Sequence, residues 1–297
     1  MSRWIAVDWG TSFFRAYLIE DELVSDKIET SDGMKFIQQN DFERKFISLI
    51  EKWLIRDHVV EVFASGMLGA RQGWMEASYE KTPCNLNNIN YVSPFIKDNR
   101  FSLKIFSGIS QIDPPDVMRG EETQVAGFFY KNLNFKGSVC LPGTHSKWIK
   151  VKNGLIEHFK TYMSGELFEV IKKNTVLTHS LMSEKIDKKE FLNSANKIFQ
   201  NPEYLTRALF QIRADDLINS RGPEIYNSRL SGYLLGIELL GAREYWEKRD
   251  IALIGGEKVM ELYESLLEDK VLTLKKFSAE DMVLEGLKSF RKNLIKD

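Results

Sequence analysis

The sequence predicts an α/β protein of two domains with duplicated βββαβα-type halves. Three observations carry this: a meander of three strands around a Gly-Thr turn occurs twice, a buried strand, a glycine pair and a helix close the second copy, and the stretch between is helical in pattern. With 297 residues, 43% of them hydrophobic, the chain has enough apolar material for two packed cores and too much for disorder.

The first copy starts at Trp4-Ile5-Ala6-Val7 and enters the turn Asp8-Trp9-Gly10-Thr11-Ser12. A second strand follows from Phe13 to Ile19, then the acidic turn Glu20-Asp21-Glu22 and a third strand from Leu23. Val59 to Ala64 reads as a strand that ends in the loop Ser65 to Gly73, and strand ends are where ligand contacts gather. Asp113-Pro114-Pro115 breaks the chain, and EETQVAGFFYKN, from Glu121, has the acidic first turn and apolar spacing of a helix start. The first domain is therefore expected at residues 1–120 and the second at 121–278, with a final helix within 279–297 packing back on the first.

The second copy runs from Ser138-Val139-Cys140-Leu141 through Pro142-Gly143-Thr144-His145-Ser146 to a strand over Lys147 to Val151, the hairpin turn Asn153-Gly154 and a strand over Leu155 to Phe159. Residues 163–249 read as helices, and Ser231, Gly232 and Gly236 are small residues at spacings that let one helix approach another closely. Asp250 to Ile254 is a buried strand, Gly255-Gly256 a turn, and Glu257 to Leu267 an amphipathic helix.

Charge and cysteine content remove several function classes. Lys plus Arg number 41 against 42 Asp plus Glu, so the basic excess of a nucleic-acid or anionic-membrane binder is missing. The two cysteines, Cys84 and Cys140, form no CxxC, and the four histidines show no metal-ligand spacing. No apolar run approaches the roughly 18 residues of a membrane span, and Asp8 interrupts any signal-peptide core. A cytoplasmic protein with a small-molecule ligand is expected; the oligomeric state is not legible.

A carboxylate at a strand end followed by a glycine turn with hydroxyls, as in Asp8, Gly10, Thr11 and Ser12, can hold a hydrated magnesium ion and a phosphate. Alone, such a turn is usually only a turn. The second one, Gly143-Thr144-His145-Ser146, changes the balance, because two such turns can clasp a polyphosphate from both sides. Gly255-Gly256 before a helix lets a flat ring lie against the backbone.

Phosphate loop, helix, phosphate loop, helical segment and Gly-Gly loop is an order that resembles the actin, hexokinase and heat-shock ATPase superfamily, with its ribonuclease H-like halves and interdomain cleft. Within it, WIAVDWGTSFFRAYL, ASGMLGARQGW, PPDVMRGEETQVAG, LPGTHSKWI, TYMSGELFEVI, SRLSGYLLG and LIGGEKVMELY are together similar to the 2-dehydro-3-deoxygalactonokinase family. The resemblance implies ATP-dependent, magnesium-assisted phosphorylation of the 6-hydroxyl of 2-dehydro-3-deoxy-D-galactonate.

Such a transfer needs a carboxylate to accept the hydroxyl proton. Glu122 is the first candidate, Glu121 the second and Asp116 the third. Their plainer roles are helix-start acids and a loop cap. For the substrate's carboxylate the resemblance points to Arg71 with Gly66, Met67 and Gly69, and less to Arg15, for which an inter-strand ion pair is an equal reading. Arg119 and Arg213 are further motif-associated arginines, and Met67 and Trp74 are pocket wall or plain core. His145 and Lys147 follow the second Gly-Thr, so either can touch the phosphates; a surface strand lysine is an equal reading of Lys147, and His145 has no evident partner acid. GEETQVAG also resembles the Gly-x-Glu-Glu-Ala run of exopolyphosphatases, but those have no use for a Gly-Gly base pocket. A sugar-acid-sensing regulator would carry a DNA-binding segment ahead of Asp8, where none is readable.

Overall fold

In the first half the chain forms β1 (Arg3–Trp9), β2 (Phe14–Glu20), β3 (Leu23–Thr30), α1 (Phe42–Ile50), β4 (Val60–Gly66), β5 (Tyr79–Lys81), β6 (Cys84–Asn85), β7 (Tyr91–Val92), β8 (Phe101–Phe106), β9 (Gly108–Gln111), β10 (Asp116–Met118) and α2 (Glu121–Lys131). The computed structural model describes residues 2–152 and 154–296, so Asn153 of the expected hairpin turn lies outside the described residues. The main sheet has the order β3-β2-β1-β4-β8-β7. β1 runs antiparallel to β2 and parallel to β4, which is parallel to β8. Trp4, Ile5, Ala6 and Val7 are all fully buried, as expected of a central strand covered on both faces. Helix α1 lays Phe42, Phe46 and Ile50, four residues apart, against that sheet, and the Trp9 ring sits 4.9 Å from Phe14 and 5.5 Å from Phe42.

The second half forms β11 (Lys136–Leu141), β12 (Ser146–Lys152), β13 (Leu155–Tyr162), α3 (Ser164–Asn174), α4 (Lys188–Gln200), α5 (Leu205–Asn219), α6 (Pro223–Gly241), α7 (Arg243–Trp246), β14 (Asp250–Gly255), α8 (Glu257–Leu267) and β15 (Thr273–Ser278), followed by α9 (Ala279–Lys296). Its strand order β15-β14-β11-β12-β13 repeats β8-β4-β1-β2-β3. This doubled order is the actin-like ATPase architecture. The halves differ in one crossover: α8 joins β14 to β15, whereas residues 67–100 between β4 and β8 hold only short strands and single 3-10 turns. The βββαβα plan thus holds in the second half and loses its second crossover helix in the first.

Two units result. One comprises Met1–Lys136, Val151–His158 and Ala279–Asp297, the other Gly137–Lys150 and Phe159–Ser278. The division after Lys136 corrects the expected boundary at 120/121, because α2 is packed on α9 within the first unit. That packing is backbone to backbone: a Cβ on Gly127 would lie 1.9 Å from the Met282 carbonyl oxygen, and one on Gly286 2.0 Å from that of Thr123. In the second unit α6 packs on α4 in the same way, through Gly232 against the Phe191 carbonyl and Gly236 against that of Ala195, each 2.5 Å from an added Cβ. The small-residue spacing of SRLSGYLLG serves this contact. Gly286→Ala should therefore force the α2–α9 pair apart and cost about 2 kcal/mol or more, read as a lowered midpoint in thermal denaturation. An unchanged midpoint would mean the helices slide at no cost.

Candidate active site

In the first unit the ends of β1 and β4 lie side by side, with Asp8 paired to Ser65 and Trp9 to Gly66. Asp8 also faces Arg15 across the β1–β2 ladder, Oδ2 to Nη1 3.8 Å, and Arg15 donates from Nε to Glu29 on β3 at 2.9 Å. Burial pushes the Asp8 carboxyl up to about 6; Arg15 opposes the shift and Glu121 adds to it. Gly66 holds a left-handed φ of 96°, and a Cβ there would press on the Trp9 carbonyl at 2.8 Å and approach Asp8 Oδ1 at 3.4 Å. Gly120, at φ 107°, comes next to it: its added Cβ would sit 3.4 Å from the Gly66 Cα. The start of α2 is thereby brought to the two strand ends.

Glu122 is 1% exposed. One carboxyl oxygen accepts the Gly120 N–H at 2.7 Å and the other the Thr123 hydroxyl at 3.1 Å. Burial, with the neighbouring Glu121 charge, raises its pKa to about 7 against the Gly120 hydrogen bond and the Arg119 charge, which lower it. Glu121 is half-buried and accepts the Arg119 N–H at 3.0 Å. Asp116 lies on a short strand rather than a loop and accepts the N–H of Val117 at 2.8 Å. The Gly10-Thr11-Ser12 turn is held by the Met34 N–H on the Gly10 carbonyl, 3.0 Å, and the Lys35 N–H on that of Thr11, 3.3 Å.

The arginines sort differently from the expectation. The Arg71 side chain is 82% exposed and stands 3.6 Å from Glu76; Arg213 is tied to Asp216 on α5, 3.1 Å away. Arg15 is engaged by Asp8 and Glu29, the inter-strand reading. Arg119 is the buried one: Nη2 donates to the Ala77 carbonyl at 2.7 Å and the guanidinium lies 4.2 Å over the Tyr79 ring. Its Nη1 is buried with no hydrogen-bond partner among the described residues, in space left by Gly69, whose Cβ would come within 2.9 Å. Met67 and Trp74 are half-buried and pack against the core, Trp74 stacking on Phe42.

In the second unit Gly143, Thr144 and His145 are exposed between β11 and β12. The N-terminus of α3 sits against this turn: the Glu166 N–H donates to the Thr144 carbonyl at 2.9 Å, and a Cβ on Gly165 would meet the Gly143 carbonyl at 2.3 Å. His145 has a partner acid after all, Nε2 to Glu166 Oε2 2.5 Å. Ser146 does not face solvent; its hydroxyl meets Tyr263 at 2.8 Å, and Tyr263 donates to Glu238 at 2.8 Å, as does Trp148 Nε1 at 2.9 Å. Glu238, 1% exposed, is held above the ordinary carboxylate range by burial, while these donors oppose the shift. Nothing but a lone Glu inside the apolar run YLLGIELLG signalled this network in the sequence. Lys147 is buried, not a surface lysine.

A cavity of 560 Å³ opens on this turn, lined by Gly143, Thr144, Ser164 and Gly165 and by Lys258 and Leu262 of α8. Gly256 caps α8, and around an added Cβ at either Gly143 or Gly256 there is no atom within 4 Å, nor does either need a left-handed backbone. The fold itself would accept alanine at both. Gly143→Ala should leave stability unchanged or raise it by about 0.5 kcal/mol while weakening nucleotide binding about tenfold, checked by denaturation and titration on one preparation. A second cavity of 410 Å³, walled by Glu190, Lys197, Asp215 and Arg229 among others, includes none of the expected residues.

Comparison with known proteins decides the family. The 2-keto-3-deoxy-galactonokinase family matches residues 8–290. This chain belongs to that family. A Rhizobium meliloti (strain 1021) protein named as a probable 2-dehydro-3-deoxygalactonokinase is 34% identical over 289 residues, 95% of this chain and 94% of its own. The 2-dehydro-3-deoxygalactonokinase of Escherichia coli (strain K12) is 27% identical over 90% of each chain. A Sinorhizobium meliloti crystal structure described as that of such a kinase superposes with a TM-score of 0.90 at 32% identity, covering 98% of this chain and 99% of that one. The protein is therefore a sugar-acid kinase. Among the described residues no helix is long and apolar enough to cross a membrane, and no group of three or more His, Cys, Asp or Glu could hold a metal ion.

Proposed function

We propose that the protein transfers the γ-phosphoryl group of ATP to the 6-hydroxyl of 2-dehydro-3-deoxy-D-galactonate, giving the 6-phosphate and ADP in galactonate breakdown. The observation that carries this reading is the buried Glu122 carboxyl at Gly120, with its pKa near neutrality and both oxygens held by donors. A base of that pKa is ionised often enough at neutral pH and remains basic enough to take a hydroxyl proton as the oxygen attacks. Gly120, whose N–H this carboxyl accepts, and the adjoining Gly66 both hold positive φ and carry no side chain.

The second unit takes the nucleotide, with its phosphates against the Gly143-Thr144-His145 turn and the N–H groups that begin α3. Asp8 suits a magnesium ion that arrives with the phosphates, since one protein carboxylate is enough for an ion that keeps phosphate and water ligands. When bound, that ion supplies charge neutralisation on the transferred group. Arg119 offers the cation for the substrate's carboxylate, because it is buried beside Gly69 and its Nη1 is unused. Arg15 instead keeps Asp8 and Glu29 in register, and Gly69 makes room for Arg119.

The test is a coupled ADP-release assay with ATP, magnesium and the galacto acid beside its gluco epimer, with the product's phosphate located by phosphorus–carbon coupling in NMR. A phosphate on C6 of the galacto acid is expected. ADP release that does not depend on the sugar acid would overturn the assignment.

A further inference from the structure

We infer that Asn227 reads the six-position of the nucleobase and makes this kinase select adenine over hypoxanthine and guanine nucleotides, an inference that rests on the nucleotide reading of the 560 Å³ cavity. Asn227 lies on α6, is 3% exposed and lines that cavity with Ser231 one turn further on. Its amide orientation is fixed by the chain: Nδ2 donates to the Lys185 carbonyl at 3.2 Å, and the flipped amide would set two carbonyl oxygens against each other. Oδ1 is then the end left over. It is buried with no hydrogen-bond partner among the described residues. A buried acceptor without a donor is costly, so a ligand that brings an N–H to it gains more than a surface hydrogen bond would give.

The same cavity carries Phe168, Ile186 and Leu262, apolar surfaces against which a flat ring can lie. Adenine presents a donor at its six-position, the exocyclic amino group. Hypoxanthine and guanine present a carbonyl oxygen there, which would face Oδ1 acceptor to acceptor. Sites built around one hydrogen-bonding group reject the analogue that cannot complete it. Ribose and phosphates are common to all three nucleotides, so a preference among them isolates the base edge.

The experiment measures kcat/KM for ATP, ITP and GTP at saturating sugar acid, in the wild-type enzyme and in Asn227→Leu and Asn227→Ala. Wild type is expected to favour ATP over ITP by about 30-fold or more. Both variants should lose about tenfold or more with ATP and lose nothing with ITP, whose carbonyl no longer faces Oδ1, so that the ratio collapses, while a wild-type melting midpoint reports an intact fold. Equal use of ATP, ITP and GTP by the wild type would overturn the inference with no variant needed. Equal losses with ATP and ITP in both variants would overturn it too, assigning Asn227 to the ribose or to packing. These outcomes differ from failure of the kinase reading, in which the wild type turns over none of the three and the inference falls with it.

Discussion

Glu122→Gln is expected to lower turnover by about 100-fold or more with little change in nucleotide affinity, because a general base acts in the transition state and the hydrogen bonds of Glu122 run to Gly120 and Thr123, neither of which lines the 560 Å³ cavity. Glutamine keeps an oxygen for the Gly120 N–H, so the start of α2 stays in place. The pH dependence separates this from a structural loss. With a pKa of about 7, wild-type kcat/KM should level off above neutrality and fall about tenfold per pH unit below it, more steeply below pH 6 where Asp8 also takes up a proton. Glu121→Gln should keep most of the turnover and move that limb to lower pH, since the Glu121 charge is part of what raises Glu122. Stability should move the opposite way from activity. The folded pKa of Glu122 lies above the ordinary 4.5, so the folded protein retains a proton that the unfolded chain has released, and stability falls as pH rises from about 4.5 through 7. The glutamine variant escapes that loss and should melt higher than wild type at pH 8, with the gap closing near pH 4. Near-normal turnover in both Glu122→Gln and Glu121→Gln would remove the base from this helix start and leave Asp116.

What the sequence disclosed was local. The Gly-Thr turns, Gly255-Gly256, the EET helix start and the close-packing glycines of α6 each declare themselves within a few residues, because turn and helix chemistry is short-ranged. What it hid depended on contacts between distant segments. Glu166 becomes the partner of His145 only because Gly165 lets α3 rest on the turn. Arg71 had the better local context, in a glycine loop after a strand, yet it points to solvent, while Arg119 is buried by Tyr79 and Ala77, about forty residues earlier. Hydrophobic periodicity marks which face of a helix is buried but says nothing of a polar residue placed there for a partner. For that reason Glu238 and Asn227 passed as ordinary members of α6. The missing crossover helix after β4 was equally silent, since an irregular segment has no period to detect. The boundary fell at Lys136 because two glycines, one in α2 and one in α9, bind those helices into one unit.

Asp8→Asn should reduce turnover about 1000-fold while leaving the fold as stable as before, and the two halves of that statement come from the same geometry. Asp8 is the last residue but one of β1, where its carboxyl is raised to about 6 by burial and by Glu121, so its charge is held there at a cost that the Arg15 guanidinium only partly offsets. Asparagine keeps the size and the backbone register and gives up that charge. Arg15 retains Glu29 at 2.9 Å, so the meander keeps its cross-strand pair and the melting midpoint at pH 8 should stay level or rise. On the proposed mechanism the Asp8 charge is the one the magnesium ion takes up. The distinguishing measurement is the magnesium dependence of turnover: the variant should need a much higher magnesium concentration for half of its residual rate, while its KM for the sugar acid stays within about threefold. A variant with wild-type magnesium dependence and near-normal turnover would reduce the Asp8-Gly10-Thr11 turn to a structural element and leave the phosphates to the second unit alone.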